Sequence, residues 1–488
     1  MKKAVNNRIY DANRWGLVPE SIADLGDNLY NCWKRFKECF KTKTRDTSSY
    51  ALTYLKGILV MDAKRNYANI SRHVIGHDED GQNLQHFMSD SPWSASLPIL
   101  QVQKEIKETV GLSGGYLLLD ESADKKGGSK SAGAGRQHNG RLGKVEMSQV
   151  GVFLAYYKDV VWTWVDGELY IPAHWFSKQM EHERKRVGLP GERKFSTKIE
   201  LGWKMIQRAK ENGLPFKALG CDDLYGRSGW LRRQMTEAHI VYMADIPADT
   251  KVYLKRPDYV FFPSGAKYKS KKSRKPIVIG GVKGLEAREV CKKFEKEFKR
   301  FKVRNMERGE LNDPFLMLRV WTIQERNLAE EWLVIRHEYG KKYSYSLSNA
   351  SSDTEPVELA RLKCVRHFVE RSNQEAKSEI GWDELQATKY RAWEHELALT
   401  IMASWFIAQI KYEWSKSFPR DAELSKELQV ETLPALSVAN VRELLKAVMP
   451  MQQLTPEEAT NMVINHLVNR SNSTASRLRA QKKVSALP

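Results

Sequence analysis

At 488 residues the chain is too long for one ordinary hydrophobic core, so two or three folding units are expected. Hydrophobic residues make up 41% of it, enough to exclude a disordered chain. Lys and Arg number 79 against 60 Asp and Glu, a formal net charge of +19 that attracts polyanions, since neutralising phosphates releases condensed counterions.

Cys32, Cys39, Cys221, Cys291 and Cys364 are scattered and form no C-x-x-C pair, which argues against a disulfide framework or a structural zinc site and fits a reducing compartment. No signal-peptide core follows Met1-Lys2-Lys3, and the most apolar run, 397–410, is too short to span a bilayer. The expectation is a soluble cytoplasmic protein with no membrane partner.

The first 112 residues read as a helical domain, expected to bind DNA. Leu29, Trp33, Phe36 and Phe40 recur at helical spacing, as do Tyr50, Leu52, Leu55 and Leu59. From 113 to 243 the pattern changes to alternating strands and helices. Ser113-Gly114-Gly115 opens the run Tyr116-Leu117-Leu118-Leu119, which ends on Asp120 and reads as a strand buried on both faces. A polar, Gly-rich stretch from 121 to 147 is expected to be loop. Residues 149–157 and 160–170 predict a hairpin turning at Lys158-Asp159. A helix over 198–212 precedes the strand 216–221, which ends on Asp222. A helix through Met235 and a strand over 240–243 follow. This order predicts an α/β core with both aspartates at the carboxyl ends of strands, where open α/β sheets build their sites. An aspartate after a strand is also a common turn residue, so neither position decides anything alone.

Residues 244–354 predict a β-rich insertion of short strands, interrupted by a basic helix-capable piece over 288–301. Within it, residues 251–310 hold 19 Lys/Arg and 7 Asp/Glu, a local excess of +12. The expected last part of the core, 355–417, comprises one helix over 355–380 and another over 393–414. A helical region to 469 and a disordered basic tail, 470–488, complete the chain. On the first of these helices Glu370 lies about 40° round from Arg366 and Lys377 about 20° back, so all three share a face. The cluster reads either as solvated i,i+4 pairing or as a metal-binding carboxylate flanked by phosphate-binding cations.

Several blocks together resemble the transposases of the bacterial insertion-sequence 701 family. They are Leu118-Leu119-Asp120-Glu121-Ser122, Lys126-Gly127-Gly128-Ser129-Lys130-Ser131, Gly135-Arg136-Gln137, Gln149 to Tyr156, Gly167-Glu168-Leu169-Tyr170-Ile171-Pro172 and Asp222-Asp223-Leu224-Tyr225-Gly226. The third block of the family, an Arg followed four residues later by Glu and seven further by Lys, is met by Arg366, Glu370 and Lys377. Sister families begin that block with a Tyr three residues before the Arg, where this chain has Lys363.

The resemblance implies an RNase H-like catalytic core with a mixed sheet, and a DDE site of Asp120, Asp222 and Glu370 that would hold two Mg²⁺ ions, with Mn²⁺ a substitute. Asp120 would bridge the ions. The reaction implied is cleavage at terminal inverted repeats, followed by joining of the freed 3′-hydroxyl to target DNA. A homodimer in the complex with double-stranded DNA, and association with the bacterial nucleoid, come with it. Lys126, Lys130, Arg136, Lys269, Lys271, Lys272, Arg274, Arg366 and Lys377 are the expected DNA contacts. A nuclease or resolvase without strand transfer, and a catalytically idle DNA-binding repressor, are the alternatives.

Overall fold

The computed structural model describes residues 8–449 except 77–78, 140–142, 262–275 and 307–308, and beyond 449 only scattered positions between 455 and 479. Lys269, Lys271, Lys272 and Arg274 lie outside the described residues.

Six α-helices open the chain: α1 (Pro19–Ala23), α2 (Leu25–Phe36), α3 (Ser48–Val60), α4 (Tyr67–Val74), α5 (Gln82–Ser89) and α6 (Ser96–Glu108). The stripe that makes α2 a helix is the stripe it buries, with Leu25, Leu29, Cys32, Trp33 and Phe36 all turned inward. These helices do not form a core of their own. Their apolar residues join those of the sheet and of the long α14 (Tyr390–Ser417) in one continuous cluster. Polar groups stitch the same seam, as where Trp405 Nε1 donates to Glu105 at 2.8 Å and Gln103 Nε2 to the Val165 carbonyl at 2.8 Å.

The centre is a ten-stranded mixed sheet. Its first strands are β1 (Gly115–Lys125), β2 (Gly135–Asn139), β3 (Lys144–Lys158), β4 (Val161–Tyr170), β5 (Phe216–Cys221) and β6 (Tyr242–Ile246). β3 runs antiparallel to β1; β2 pairs with its first five residues and β4 with the rest. β5 and β6 continue from β1 as parallel neighbours, giving the order β4-β3-β1-β5-β6. The crossover from β4 to β5 carries α7 (Glu181–Val187) and α8 (Lys198–Glu211); α9 (Asp223–Gly226) and α10 (Gly229–Glu237) connect β5 to β6.

Part of the stretch expected to be loop, 121–147, is strand. Every residue of β1 from Tyr116 to Lys125 is paired with β3, so ladder hydrogen bonding overrides the weak strand preference of Asp, Glu, Ser and Lys.

After β6 come β7 (Lys251–Val252), β8 (Asp258–Val260), β9 (Ile277–Ile279), β10 (Leu285–Glu286) and α11 (Ala287–Lys293). An antiparallel meander follows, β11 (Lys299–Met306), β12 (Gly309–Gln324), β13 (Asn327–Glu338) and β14 (Lys342–Ser348). The helical reading of 288–301 ends early: from Lys299 onward the chain is the edge strand β11, held by its ladder to β12. β14 pairs with β6, so the meander extends the central sheet. Its second face covers a separate small core of Val252, Val290, Leu316, Val320, Leu333 and Leu347.

The helix expected over 355–380 is two helices, α12 (Pro356–Cys364) and α13 (His367–Ser378). Between them the chain tightens: Phe368 N–H donates to the Val365 carbonyl and Val369 N–H to that of Arg366, three residues back instead of four. Leu359, Leu362, Val365 and Val369 form the expected buried stripe across both. α14 follows, then α15 (Glu423–Glu427) and α16 (Val438–Val448). From 470 onward the few described residues are helical, where disorder is expected from composition. Among the described residues no helix is long and apolar enough to cross a membrane.

Candidate active site

Strand register brings the two aspartates together. Leu119 on β1 is the partner of Cys221 on β5, so Asp120 and Asp222 follow at the same level at the carboxyl ends of adjacent parallel strands. Cys221 is in turn the partner of Ala244 on β6, which places Asp245 third in the row.

Asp120 is partly buried, and its oxygens accept from Glu121 N–H at 2.8 Å and Asn373 Nδ2 at 3.3 Å. Burial, and then the charge of Asp222, push its carboxyl up to about 7. Asp222 caps α9, with Oδ1 accepting from Leu224 N–H at 3.0 Å and Tyr225 N–H at 3.4 Å. Burial and the neighbouring Glu121 raise it to about 6. Asp223, about half exposed, pairs with Arg227 at 2.8 Å. Gly226 ends this segment because a side chain has no room there: a Cβ would meet the Asp245 carbonyl at 1.9 Å.

Glu370 stands in the first turn of α13 with about half of its side chain exposed. Its carboxylate accepts from Arg366 at 2.7 Å. Arg366 also reaches Asp245 at 3.1 Å and feels the charges of Asp120 and Asp222, so its guanidinium sits among four carboxylates.

Sequence reasoning misses Asp245. The signal is present, for Tyr242-Met243-Ala244-Asp245 repeats the pattern of apolar residues ending on Asp seen at Asp120 and Asp222. Closing the strand at 243 hides it. Asp245 accepts from Lys363 Nζ at 2.7 Å and from Ser346 Oγ at 2.7 Å. Lys363, where sister families carry Tyr, is only 3% exposed and is the buried counter-charge of Asp245. Glu121 is missed as well; it accepts from Lys198 at 2.7 Å and from the Tyr225 hydroxyl at 3.3 Å.

The expected DNA contacts divide. Lys130 and Arg136 are exposed, Arg136 on the short strand β2. Lys126 turns inward and donates to the Leu385 carbonyl at 3.0 Å. Lys377 is 11% exposed, bonded to the Ala123 carbonyl at 2.9 Å and paired with Asp124 at 2.6 Å, so it docks α13 onto β1. A phosphate contact from Lys377 requires breaking that pair.

The donors present suit a hard divalent cation. They are carboxylate oxygens, and two of them are held ionised only against burial and mutual repulsion, which such a cation relieves. Among the described residues no three His, Cys, Asp or Glu side chains converge as a ready metal cluster. Glu370 is engaged with Arg366 instead; its own carboxylate is about half exposed and the pair is worth about 1 kcal/mol or less, so releasing it costs little.

The chain is 26% identical over 363 residues to a protein described as the probable transposase for insertion sequence element IS701 of Microchaete diplosiphon, covering 72% of this chain and 80% of that protein. A family model described as DDE superfamily endonuclease matches residues 35–308, a span that includes Asp120 and Asp222 and stops before Glu370. With more than half of its length matched and two aspartates aligned on parallel strand ends, the chain belongs to the DDE superfamily endonucleases.

Proposed function

We propose that the protein is a DNA transposase that cleaves at the terminal inverted repeats of its element and joins the 3′-hydroxyl ends to target DNA, using Asp120, Asp222 and Glu370. The observation that carries this reading is the side-by-side placement of Asp120 and Asp222, each with its carboxyl raised by burial and neighbouring charge. The strand order β4-β3-β1-β5-β6, with β3 antiparallel and the rest parallel to β1, supports an RNase H-like core.

Asp120 and Asp222 would hold divalent metal, Mg²⁺ with Mn²⁺ as substitute, and Glu370 would complete the set once released by Arg366. When bound, the two ions activate the attacking oxygen and neutralise charge on the leaving oxygen of an in-line phosphodiester displacement. The chain's own groups do the rest. Oδ1 of Asp222 is fixed by its cap hydrogen bonds, so Oδ2 is the oxygen that would take a cation. Arg366, its Nη2 freed from Glu370, steadies the scissile strand through its phosphates while Asp245 retains its Nε. Lys130, Arg136 and the basic segment with Lys269, Lys271, Lys272 and Arg274 supply electrostatic attraction for double-stranded DNA. A homodimer pairing both element ends, acting at the bacterial nucleoid, belongs to the same reading.

The test is a labelled terminal-repeat duplex incubated with Mg²⁺ and target plasmid. Cleavage and joined product from wild type, and neither from Asp120→Ala, are expected. Cleavage with no joined product makes the protein a nuclease or resolvase; equal activity in both proteins removes the catalytic assignment.

A further inference from the structure

The face of α13 turned toward the sheet carries Asn373, one turn beyond Glu370 and 9% exposed. It makes two side-chain hydrogen bonds with different partners. Its Oδ1 accepts from Trp164 Nε1 at 2.8 Å, and its Nδ2 donates to Asp120 Oδ2 at 3.3 Å.

The first bond decides the second. An asparagine amide has two near-identical ends, and only its partners determine which way it faces. The indole N–H of Trp164 is a donor with no acceptor capacity, so it accepts only the oxygen end. The NH₂ end must then face Asp120. Trp164 itself has no freedom to comply otherwise: it is 1% exposed, stacked on Phe153 at 4.0 Å and 9° between planes, with Trp382 edge-on at 5.5 Å. Phe153 is the cross-strand partner of Asp120. The aromatic stack and the carboxylate are thus built on the same rung of the sheet.

We infer that Asn373, oriented by Trp164, is a positioning residue that holds the Asp120 carboxylate in the plane needed to bind divalent metal. With Glu121 N–H on Oδ1 and Asn373 on Oδ2, each oxygen has one fixed partner and one lone pair left for a cation. Neither Asn373 nor Trp164 touches the reacting atoms. The inference rests on the assignment of Asp120 as a metal ligand.

The experiment measures Mn²⁺ affinity of the full-length protein, without DNA, by electron paramagnetic resonance of the free ion, together with melting curves for each variant. Asn373→Ala is expected to weaken Mn²⁺ binding about 10- to 100-fold. Trp164→Phe keeps an aromatic ring against Phe153 but removes the indole N–H together with its second ring, a packing loss that the melting curve reads; it is expected to weaken binding in the same direction, because the amide is free to turn its oxygen toward Asp120. In the Asn373→Ala background Trp164→Phe should add less than about twofold, since both act through one hydrogen-bond chain. Should Asn373→Ala fail to fold, Trp164→Phe alone decides. Wild-type Mn²⁺ affinity in Trp164→Phe, or full additivity of the two changes, overturns the inference while Asp120→Ala still abolishes binding. Wild-type affinity in Asp120→Ala itself overturns the proposed function along with it.

Discussion

Replacing Asp120 with asparagine should stabilise the metal-free protein at alkaline pH. The carboxyl is displaced from 3.8 to about 7 by burial and by Asp222. At ~1.4 kcal/mol per tenfold change in proton affinity, the ionised form strains the fold by about 4 kcal/mol. Asparagine removes that strain but sets its own NH₂ against a fixed donor, either Asn373 Nδ2 or Glu121 N–H. One unsatisfied buried donor costs about 1–3 kcal/mol, so a net gain of about 1–3 kcal/mol is expected. The sign follows from linkage. A raised carboxyl is harmless while protonated and penalises the fold as pH climbs from the unfolded value through the folded one. The advantage of the variant therefore develops between about pH 4 and pH 7 and is full above it. Urea unfolding in the presence of a chelator, at both ends of that window, reads the effect directly. No gain at high pH, or the same gain at both, would refute the argument that unrelieved charge at this site strains the fold.

Other consequences are local. Glu370→Gln should abolish cleavage while changing stability by less than about 1 kcal/mol, since the Glu370 carboxylate is about half exposed; a binding and activity assay beside a melting curve separates the two. Asp245→Asn should cost about 3 kcal/mol in urea unfolding, because it strands the Lys363 ammonium without its counter-charge; a loss under about 1 kcal/mol would show the pair to be incidental. Glu331, 1% exposed, accepts from Arg232, Tyr242 and Thr322 and so ties α10, β6 and β12 together. Glu331→Ala should cost about 3–5 kcal/mol in the same unfolding assay. Lys302→Ala, which breaks an exposed pair with Glu310, should cost under about 0.5 kcal/mol. Neutralising Lys271, Lys272 and Arg274 should reduce the salt slope of end-DNA binding by about 0.9 for each phosphate that these cations neutralise; an unchanged slope places the DNA path elsewhere.

What could be read from the sequence was whatever local pattern dictates. The apolar run ending on Asp120, the hairpin turning at Asp159 and the short strand before Asp222 all have turn or burial signals within a few residues, and each is where expected. What could not be read was set by distant partners. β1 runs on to Lys125 only because β3 is there to pair with it. β14 is a different case: Tyr343, Tyr345 and Leu347 alternate with serines, a legible strand pattern, and β14 lies between β13 and β6. The break between α12 and α13 has no Pro or Gly to announce it. Lys126 and Lys377 look like free cations in the sequence because their partners, the Leu385 carbonyl and Asp124, come within reach only after folding. For Lys363 the departure from the sister pattern is visible, but its reason, the carboxylate of Asp245, lies on a strand that runs three residues past its expected end.

An open sheet must end somewhere, and among the described residues β11 ends this one, pairing with β12 on one side only. Unpaired backbone along a strand is a template for another copy of the same strand, and proteins guard such margins with charge. Lys299, Arg300 and Lys302 are exposed along β11, so two molecules meeting there repel before their backbones can pair. The same cations thereby oppose pairing of one copy with another through this margin. Protection of this kind weakens as salt screens it, with a reach of about 8 Å at physiological ionic strength and about 3 Å at 1 M.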